Sequence, residues 1–216
     1  MFFPIYLNLS RKRVVVIGGG DVAERKITSL SGTDAAITVI SPTLTSQLLA
    51  LSKSNAINWQ KRGYVAGDCS GATLVFSATD DPNVSQQVWE EAREAGILVN
   101  TADEPSLCDF IMPAVVRRGE LAVAISTGGA SPALAATLRE QLSEVLGPEY
   151  EQLLELLLQV RPEIQQRFLD ERERKALHYR ILESNLIDLL KRQDRKGAEL
   201  VLRNIIEDFA CQEKTR

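Results

Sequence analysis

Gly18-Gly19-Gly20-Asp21-Val22-Ala23 carries the spacing G-x-G-x-x-A. Glycines so spaced let a backbone approach a pyrophosphate, provided a strand leads into them and a helix opens from them. The free amides of that helix start then receive the negative charge. The chemistry implied is that of a bound dinucleotide, with Gly18, Gly20, Asp21, Val22 and Ala23 as contacts. In such sites an acidic residue about 20 positions on bonds the ribose 2′-hydroxyl. Here the corresponding stretch reads Ile40-Ser41-Pro42-Thr43, so Ser41 or Thr43 offers a hydroxyl instead. No arginine stands there to meet a 2′-phosphate, which favours NAD over NADP.

Three further segments carry reactive groups. Ser77-Ala78-Thr79-Asp80-Asp81 follows an apolar run; Thr79 either faces a cofactor or belongs to a plain polar loop, whereas Asp81 before Pro82 reads as a helix cap. Asn100-Thr101-Ala102-Asp103 ends the next apolar run on the same edge, with Asn100 grouped among the cofactor contacts. Asp103 there suits a general base, a metal-positioning carboxylate or a plain turn former. Ser126-Thr127-Gly128-Gly129-Ala130-Ser131-Pro132 opens a helix. Its free amides suit an anion such as a substrate carboxylate, or Ser131 is an ordinary N-cap. The single histidine, His178, lies in a charged C-terminal stretch as a solvated helix residue, which argues against zinc hydrolysis and a Ser-His-Asp triad.

Composition bounds the function. With 216 residues, 44% hydrophobic and 25% charged, the chain can bury a real core. A net charge of −4 argues against nucleic acid as a main partner, because holding phosphates takes clustered lysine and arginine. Cys69, Cys108 and Cys211 are scattered without a C-x-x-C pair, which fits a reduced cytoplasm. The apolar stretch Met1 to Leu7 is too short for a signal peptide, and no apolar run approaches the ~20 residues of a membrane span.

The elements that must position these residues alternate. Arg13 to Ile17, Ala35 to Ile40, Ile57 to Lys61, Thr73 to Ala78 and Ile97 to Asn100 read as strands. Asp21 to Leu30, Thr45 to Ser52 and the stretch from Pro82 to Ala95 read as helices, the last ended by Gly96 in a left-handed conformation. That alternation predicts βαβ units around a parallel sheet, an α/β Rossmann-type domain over residues 1–112. Met112 to Val116 and Leu121 to Ser126 then read as a hairpin with Arg117-Arg118-Gly119-Glu120 between them. A helix from Ser131-Pro132, with Leu134, Leu138, Leu142, Val145 and Leu146 as apolar positions, is stopped by Gly147-Pro148 and completes a small domain over 113–146. Residues 147–216 read as amphipathic helices broken near Pro162 and around Gly197, a packing or dimerisation module.

Several of these segments resemble one family. Gly18 to Lys26, Ala78 to Asp81, Asn100 to Asp103, Phe110 to Pro113 and Ser126 to Pro132 are similar, in order and spacing over roughly residues 1–146, to the precorrin-2 dehydrogenase/ferrochelatase module of sirohaem synthases. The resemblance implies an NAD-binding domain, a small dimerisation domain and a helical tail, assembled as a homodimer. It implies oxidation of precorrin-2 to sirohydrochlorin with NAD⁺ as acceptor, followed in many members by insertion of Fe²⁺ to give sirohaem. By position it assigns the family's key aspartate to Asp103, which also meets the metal transiently. It assigns the active-site loop hydroxyl to Thr127 beside Ser126, and cofactor contacts to Gly18, Gly20, Asp21, Val22, Pro42 and Thr43. For a polycarboxylate tetrapyrrole, Gly128, Gly129 and Ser131 at the helix start and Arg117, Arg118 or Arg139 are the carboxylate receivers. The methyltransferase domain of the longer synthases is not in this sequence, so synthesis of precorrin-2 itself is not expected. The alternatives are a dehydrogenase without chelatase activity and a non-catalytic NAD-sensing dimeric module.

Overall fold

The computed structural model describes residues 2–213; Met1, which opens the apolar N-terminal stretch, and residues 214–216 lie outside the described residues. The first strand, β1 (Arg13–Ile17), buries four residues in succession from Val14 to Ile17. A β-branched run buried on both faces is the mark of a central parallel strand. Around it stand β2 (Ala36–Ile40), β3 (Asn58–Gln60), β4 (Leu74–Ser77) and β5 (Leu98–Thr101), in the order β3-β2-β1-β4-β5. All four pairings are parallel, with Ile17 opposite Ile40 and Ser77, and Ser77 opposite Thr101. The edge strand β3 is two residues shorter than its apolar run suggested, and β5 runs on to Thr101.

Helices cover both faces. On one, Ala23 and Ile27 of α1 (Asp21–Ser29) and Leu48 of α2 (Ser46–Lys53) pack on Val14, Val16, Leu74 and Phe76. On the other, Val88 and Ala92 of α3 (Pro82–Glu94) pack on Val15, Ile17, Val75 and Val99. The chain leaves β1 toward β2 and β3, then returns to β4 on the opposite side. This reversal opens a crevice at the carboxyl ends of β1 and β4, where ligands of open α/β sheets bind. Local signals set the helix ends. Asp81 caps α3 by accepting from the Asn83 amide (2.9 Å), Pro82 takes the first helical turn, and Gly96 has φ +65° just past the end.

The chain divides into two compact units between Met112 and Pro113. The second begins with the antiparallel pair β6 (Ala114–Arg118) and β7 (Leu121–Ile125). The expected four-residue connection is corrected here. Arg117 pairs with Ala122 and Arg118 with Leu121, so the turn is Gly119-Glu120, with Gly119 at φ +57°. Helix α4 (Pro132–Val145) follows, capped by Ser131. Then come α5 (Glu149–Arg167), α6 (Glu171–Leu182), α7 (Leu186–Lys191) and α8 (Arg195–Glu213). Leu153, Leu156, Ile164, Leu177, Ile181, Leu202 and Ile206 form their shared core.

Neither expected break falls where the sequence suggested. Pro162 lies inside α5, which continues through it because Leu153, Leu156 and Ile164 on one face stay buried in the core. Gly197 lies in the first turn of α8, and its amide donates to Asp194 Oδ1 at 2.9 Å. The chain turns instead at Phe168 to Asp170, where Asp170 caps α6, and at Gln193, which has φ +62°.

Candidate active site

The three glycines do different work. Gly18 has φ +116°, its amide donates to Ile40 O at 2.9 Å, and a Cβ there would lie 2.1 Å from Ala78 O. A Cβ on Gly19 would lie 2.1 Å from Thr43 O and 2.8 Å from Ser41 Oγ. These two glycines are required so that the β1, β2 and β4 ends can close together. Gly20 is different: a Cβ there would meet nothing within 4 Å, and its φ of −86° is open to any residue. Gly20 is also the N-cap of α1 and supplies no side-chain cap, while the first bond back to it comes from the Glu24 amide at 3.0 Å. The helix start at Asp21 and Val22 is therefore open beside a residue with no side chain, whereas Ala23 is fully buried against the sheet. This is a cradle that a Cβ would fill and a pyrophosphate fits.

The end of β2 is built onto that loop. Thr45 N donates to Gly19 O at 3.0 Å, and the Thr45 hydroxyl donates to the Glu24 carboxylate while accepting the Leu48 amide. Ser41 is buried; its amide donates to Gln60 O at 3.2 Å and its carbonyl accepts the Trp59 indole N–H at 2.9 Å. Pro42 and Thr43 are exposed.

Between the β4 and β5 ends lies a cavity of about 620 Å³, lined among others by Val22, Thr79, Asp80, Ser85, Asp103 and Ser106. Asp103 has φ +58°, a conformation costly for residues with a Cβ and best tolerated by Asp and Asn. Its carboxylate makes no hydrogen bond among the described residues, whereas its loop is tied down on both sides. Ala102 N donates to Ser77 O at 2.8 Å, Thr101 N to Cys108 Sγ at 3.2 Å, and the Thr101 hydroxyl to Leu107 O at 3.0 Å. Thr79 Oγ accepts the Asp81 amide at 3.3 Å. Asn100 on β5 is buried, its amide nitrogen donating to Phe110 O at 2.8 Å and its oxygen accepting from Lys26 Nζ at 2.5 Å.

Lys26 is the residue that motif reasoning passed over. Its ammonium lies 5.2 Å from the centre of the Phe76 ring, and burial pulls its pKa below the ordinary lysine value against the attraction of Cys108 and Asp103. The signal was a lysine in line with the apolar positions Val22, Ala23, Ile27 and Leu30 of one helix.

The remaining candidates belong to the second unit. Thr127 Oγ accepts the Ser131 amide and donates to the Ser131 carbonyl, both at 3.1 Å; Ser126 Oγ accepts the Gly128 amide at 3.1 Å. Gly128 and Gly129 take φ +62° and +87°, and Ser131 Oγ accepts the Leu134 amide at 3.2 Å. These hydroxyls close their own loop at the start of α4. Arg117 is exposed on β6, Arg118 donates to Ser143 O at 3.0 Å, and Arg139 is exposed beside Glu140. His178 is half-buried in α6. Among the described residues no group of three or more His, Cys, Asp or Glu side chains is arranged to hold a metal.

A doubly wound parallel sheet with a glycine loop at its switch point defines a protein of the NAD(P)-binding class. Residues 5–114 match the family described as "Putative NAD(P)-binding", residues 118–144 "Sirohaem biosynthesis protein central", and residues 149–206 "Sirohaem synthase dimerisation region". The chain belongs to the first of these, the NAD(P)-binding family, and carries the sirohaem central and dimerisation regions after it. It is 35% identical over 206 residues to the siroheme synthase of Thioalkalivibrio sulfidiphilus, covering 95% of this chain and 42% of that one. With the siroheme synthase of Methylococcus capsulatus it shares 35% identity over 213 residues, 99% of this chain and 45% of that one. The chain thus spans less than half the length of these relatives. Among solved structures it is similar to "SirC, precorrin-2 dehydrogenase", with a TM-score of 0.76 and 27% identity over 95% of this chain and 100% of that one. Among the described residues no helix is long and apolar enough to cross a membrane.

Proposed function

We propose that the chain oxidises precorrin-2 to sirohydrochlorin with NAD⁺ as acceptor, and then inserts Fe²⁺ to give sirohaem. The observation that carries this reading is one continuous edge: Val22, in the first turn behind the open Gly20 cradle, lines the same cavity as Asp103. Similarity to SirC and to the sirohaem synthases supports the substrate.

Bound NAD⁺ supplies the two-electron acceptor. The amides of Asp21 and Val22 at the start of α1 hold the pyrophosphate, Ser41 and Thr43 offer hydroxyls to the ribose, and Thr79 lines the nicotinamide end. NAD is preferred over NADP because Ile40 to Thr43 contains no arginine. Oxidation removes two electrons and two protons from the macrocycle; one proton leaves with the electrons, and Asp103 accepts the other. The amides opening α4 at Ser131 and the exposed Arg117 and Arg139 receive substrate carboxylates, with Ser126 and Thr127 as the loop hydroxyls. Fe²⁺ is a substrate; the macrocycle nitrogens ligate it as their two N–H protons leave to solvent, and Asp103 meets it in transit.

The working form is a homodimer, supported by the match to a dimerisation region and by exposed Val115, Leu134 and Val145. The scattered cysteines, without a C-x-x-C pair, support a reducing cytoplasm. The test is anaerobic incubation with precorrin-2 and NAD⁺, then Fe²⁺, followed by absorbance. The sirohydrochlorin spectrum and then the sirohaem spectrum are expected. No change with NAD⁺ rejects the dehydrogenase, and arrest at sirohydrochlorin restricts the chain to the first step.

A further inference from the structure

The end of β2 is neutral in both senses. It has no arginine to attract a 2′-phosphate, and it has no carboxylate to repel one. In dinucleotide folds that carboxylate both bonds the 2′-hydroxyl and excludes the phosphorylated cofactor. The charge that decides must therefore come from a neighbour. Strand β3 runs parallel to β2 with Gln60 opposite Ile40, so Lys61 stands one residue beyond the last pair, beside Ser41. The chain turns there, with Arg62 N bonded to Gln60 O at 2.8 Å, and leaves Lys61 exposed on the outer corner. Its ammonium lies 5.7 Å from the centre of the Trp59 ring, and the Trp59 indole donates to Ser41 O at 2.9 Å. Ser41 Oγ in turn lies 2.8 Å from where a Gly19 Cβ would be. Lys61, Trp59, Ser41 and the glycine loop thus form one chain of contacts. Arg62, the adjacent cation, is held by Asp68 at 2.6 Å, whereas Lys61 makes no ion pair among the described residues.

We propose that Lys61, contributed by β3, is the specificity-determining residue for the dinucleotide: its ammonium takes the 2′-phosphate of NADP and offsets most of the cost of desolvating it beside the neutral β2 end, so that NADP is bound only modestly more weakly than NAD. This rests on the dinucleotide reading above. A lysine held over an indole beside Ser41, at the strand end assigned to the ribose, makes a charge-assisted hydrogen bond to a phosphate and none to a 2′-hydroxyl of comparable strength.

The experiment is calorimetric titration of the full chain with NAD⁺ and with NADP⁺ at low and high salt, for wild type, Lys61→Ala, Lys61→Glu and Lys61→Arg. For wild type, NADP⁺ should bind within about tenfold of NAD⁺. Lys61→Ala should weaken NADP⁺ about tenfold and leave NAD⁺ within about twofold, since hydrogen bonds to charged groups are worth this much. Lys61→Glu should lose NADP⁺ binding altogether, and Lys61→Arg should keep it. The NADP⁺ affinity alone should fall with salt. Equal loss of both ligands in Lys61→Ala would overturn the proposal, because Lys61 would then act only through Trp59. An unchanged ratio, or wild-type protein that takes NAD⁺ but no NADP⁺, would overturn it as well. Wild-type protein that binds neither ligand rejects the dinucleotide reading itself, and this inference with it.

Discussion

At the scale of single residues, Asp103 combines an exposed carboxylate with a left-handed backbone that asparagine also tolerates. Asp103→Asn therefore keeps the turn and removes only the charge. Turnover should fall about 10²–10⁴-fold, the usual contribution of a general acid–base group, with NAD⁺ affinity and melting temperature unchanged. Asp103→Ala should lose the same activity and also melt lower, because the left-handed conformation costs such a residue about 1–2 kcal/mol. Near-normal turnover of folded Asp103→Asn would reduce Asp103 to a turn former. The glycines give a second contrast. The Cβ of Gly20→Val meets no protein atom within 4 Å, so the variant should fold with a normal circular dichroism spectrum and show no heat of binding with NAD⁺. Gly18→Val, forced against Ala78 O, should fail to fold. A Gly20→Val protein that still binds NAD⁺ would remove the pyrophosphate from this loop. The glycine spacing, the Asp81 and Ser131 caps and the chemical type at Asp103 are local features, so they are legible in the sequence. Lys26 is not: its bond to Asn100 exists only because β4 and β5 follow β1 in the sheet, a neighbourhood that no local spacing encodes.

At the scale of elements, strands legible from β-branched runs contrast with helix ends that packing decided. Pro162 is the clearest case. A proline inside a helix removes one backbone hydrogen bond and sets its ring against the carbonyl one turn back, at a cost of about 3 kcal/mol relative to alanine. The break is still absent, because α5 buries Leu153, Leu156 and Ile164 continuously and breaking it would expose them. The tertiary term exceeds the local one. Pro162 itself is exposed, so removing its ring empties no cavity. Pro162→Ala should therefore stabilise the protein, by about 2 kcal/mol once roughly 0.4–1 kcal/mol is returned for the freer unfolded chain. Thermal melting should rise by several degrees; an unchanged or lower midpoint would mean that a bend at Pro162 is needed by what packs on α5. The same competition places Gly197 inside α8. There the absent side chain lets the Asp194 carboxylate fold back onto the helix start, since a Cβ would lie 2.2 Å from Asp194 Oδ2.

At the scale of the whole molecule, buried apolar residues group into three clusters, two on the faces of the parallel sheet and one among α5 to α8. Residues 113–146 contribute to none of them. Among their apolar side chains only Val116 and Ala135 are buried, while Val115, Leu134 and Val145 are 40%, 50% and 64% exposed. A two-stranded ribbon with one helix is marginal in water unless something covers its apolar side. The segment nevertheless carries the Ser126 to Ser131 loop, whose hydroxyls the proposed chemistry needs held in place. The proposed second copy of the chain would supply that cover, and the match of residues 149–206 to a dimerisation region supports it. Light scattering at micromolar concentration should give twice the chain mass, and the melting temperature should rise with protein concentration, as linkage requires for a dimer. Leu134→Glu together with Val145→Glu adds charge to the exposed face without touching any of the three clusters. That variant should become monomeric and lose turnover, while NAD⁺ binding by the parallel-sheet unit persists. A wild-type monomer whose melting temperature is independent of concentration would reject the dimer, and the hairpin and α4 would then have to be stable with their apolar side in water.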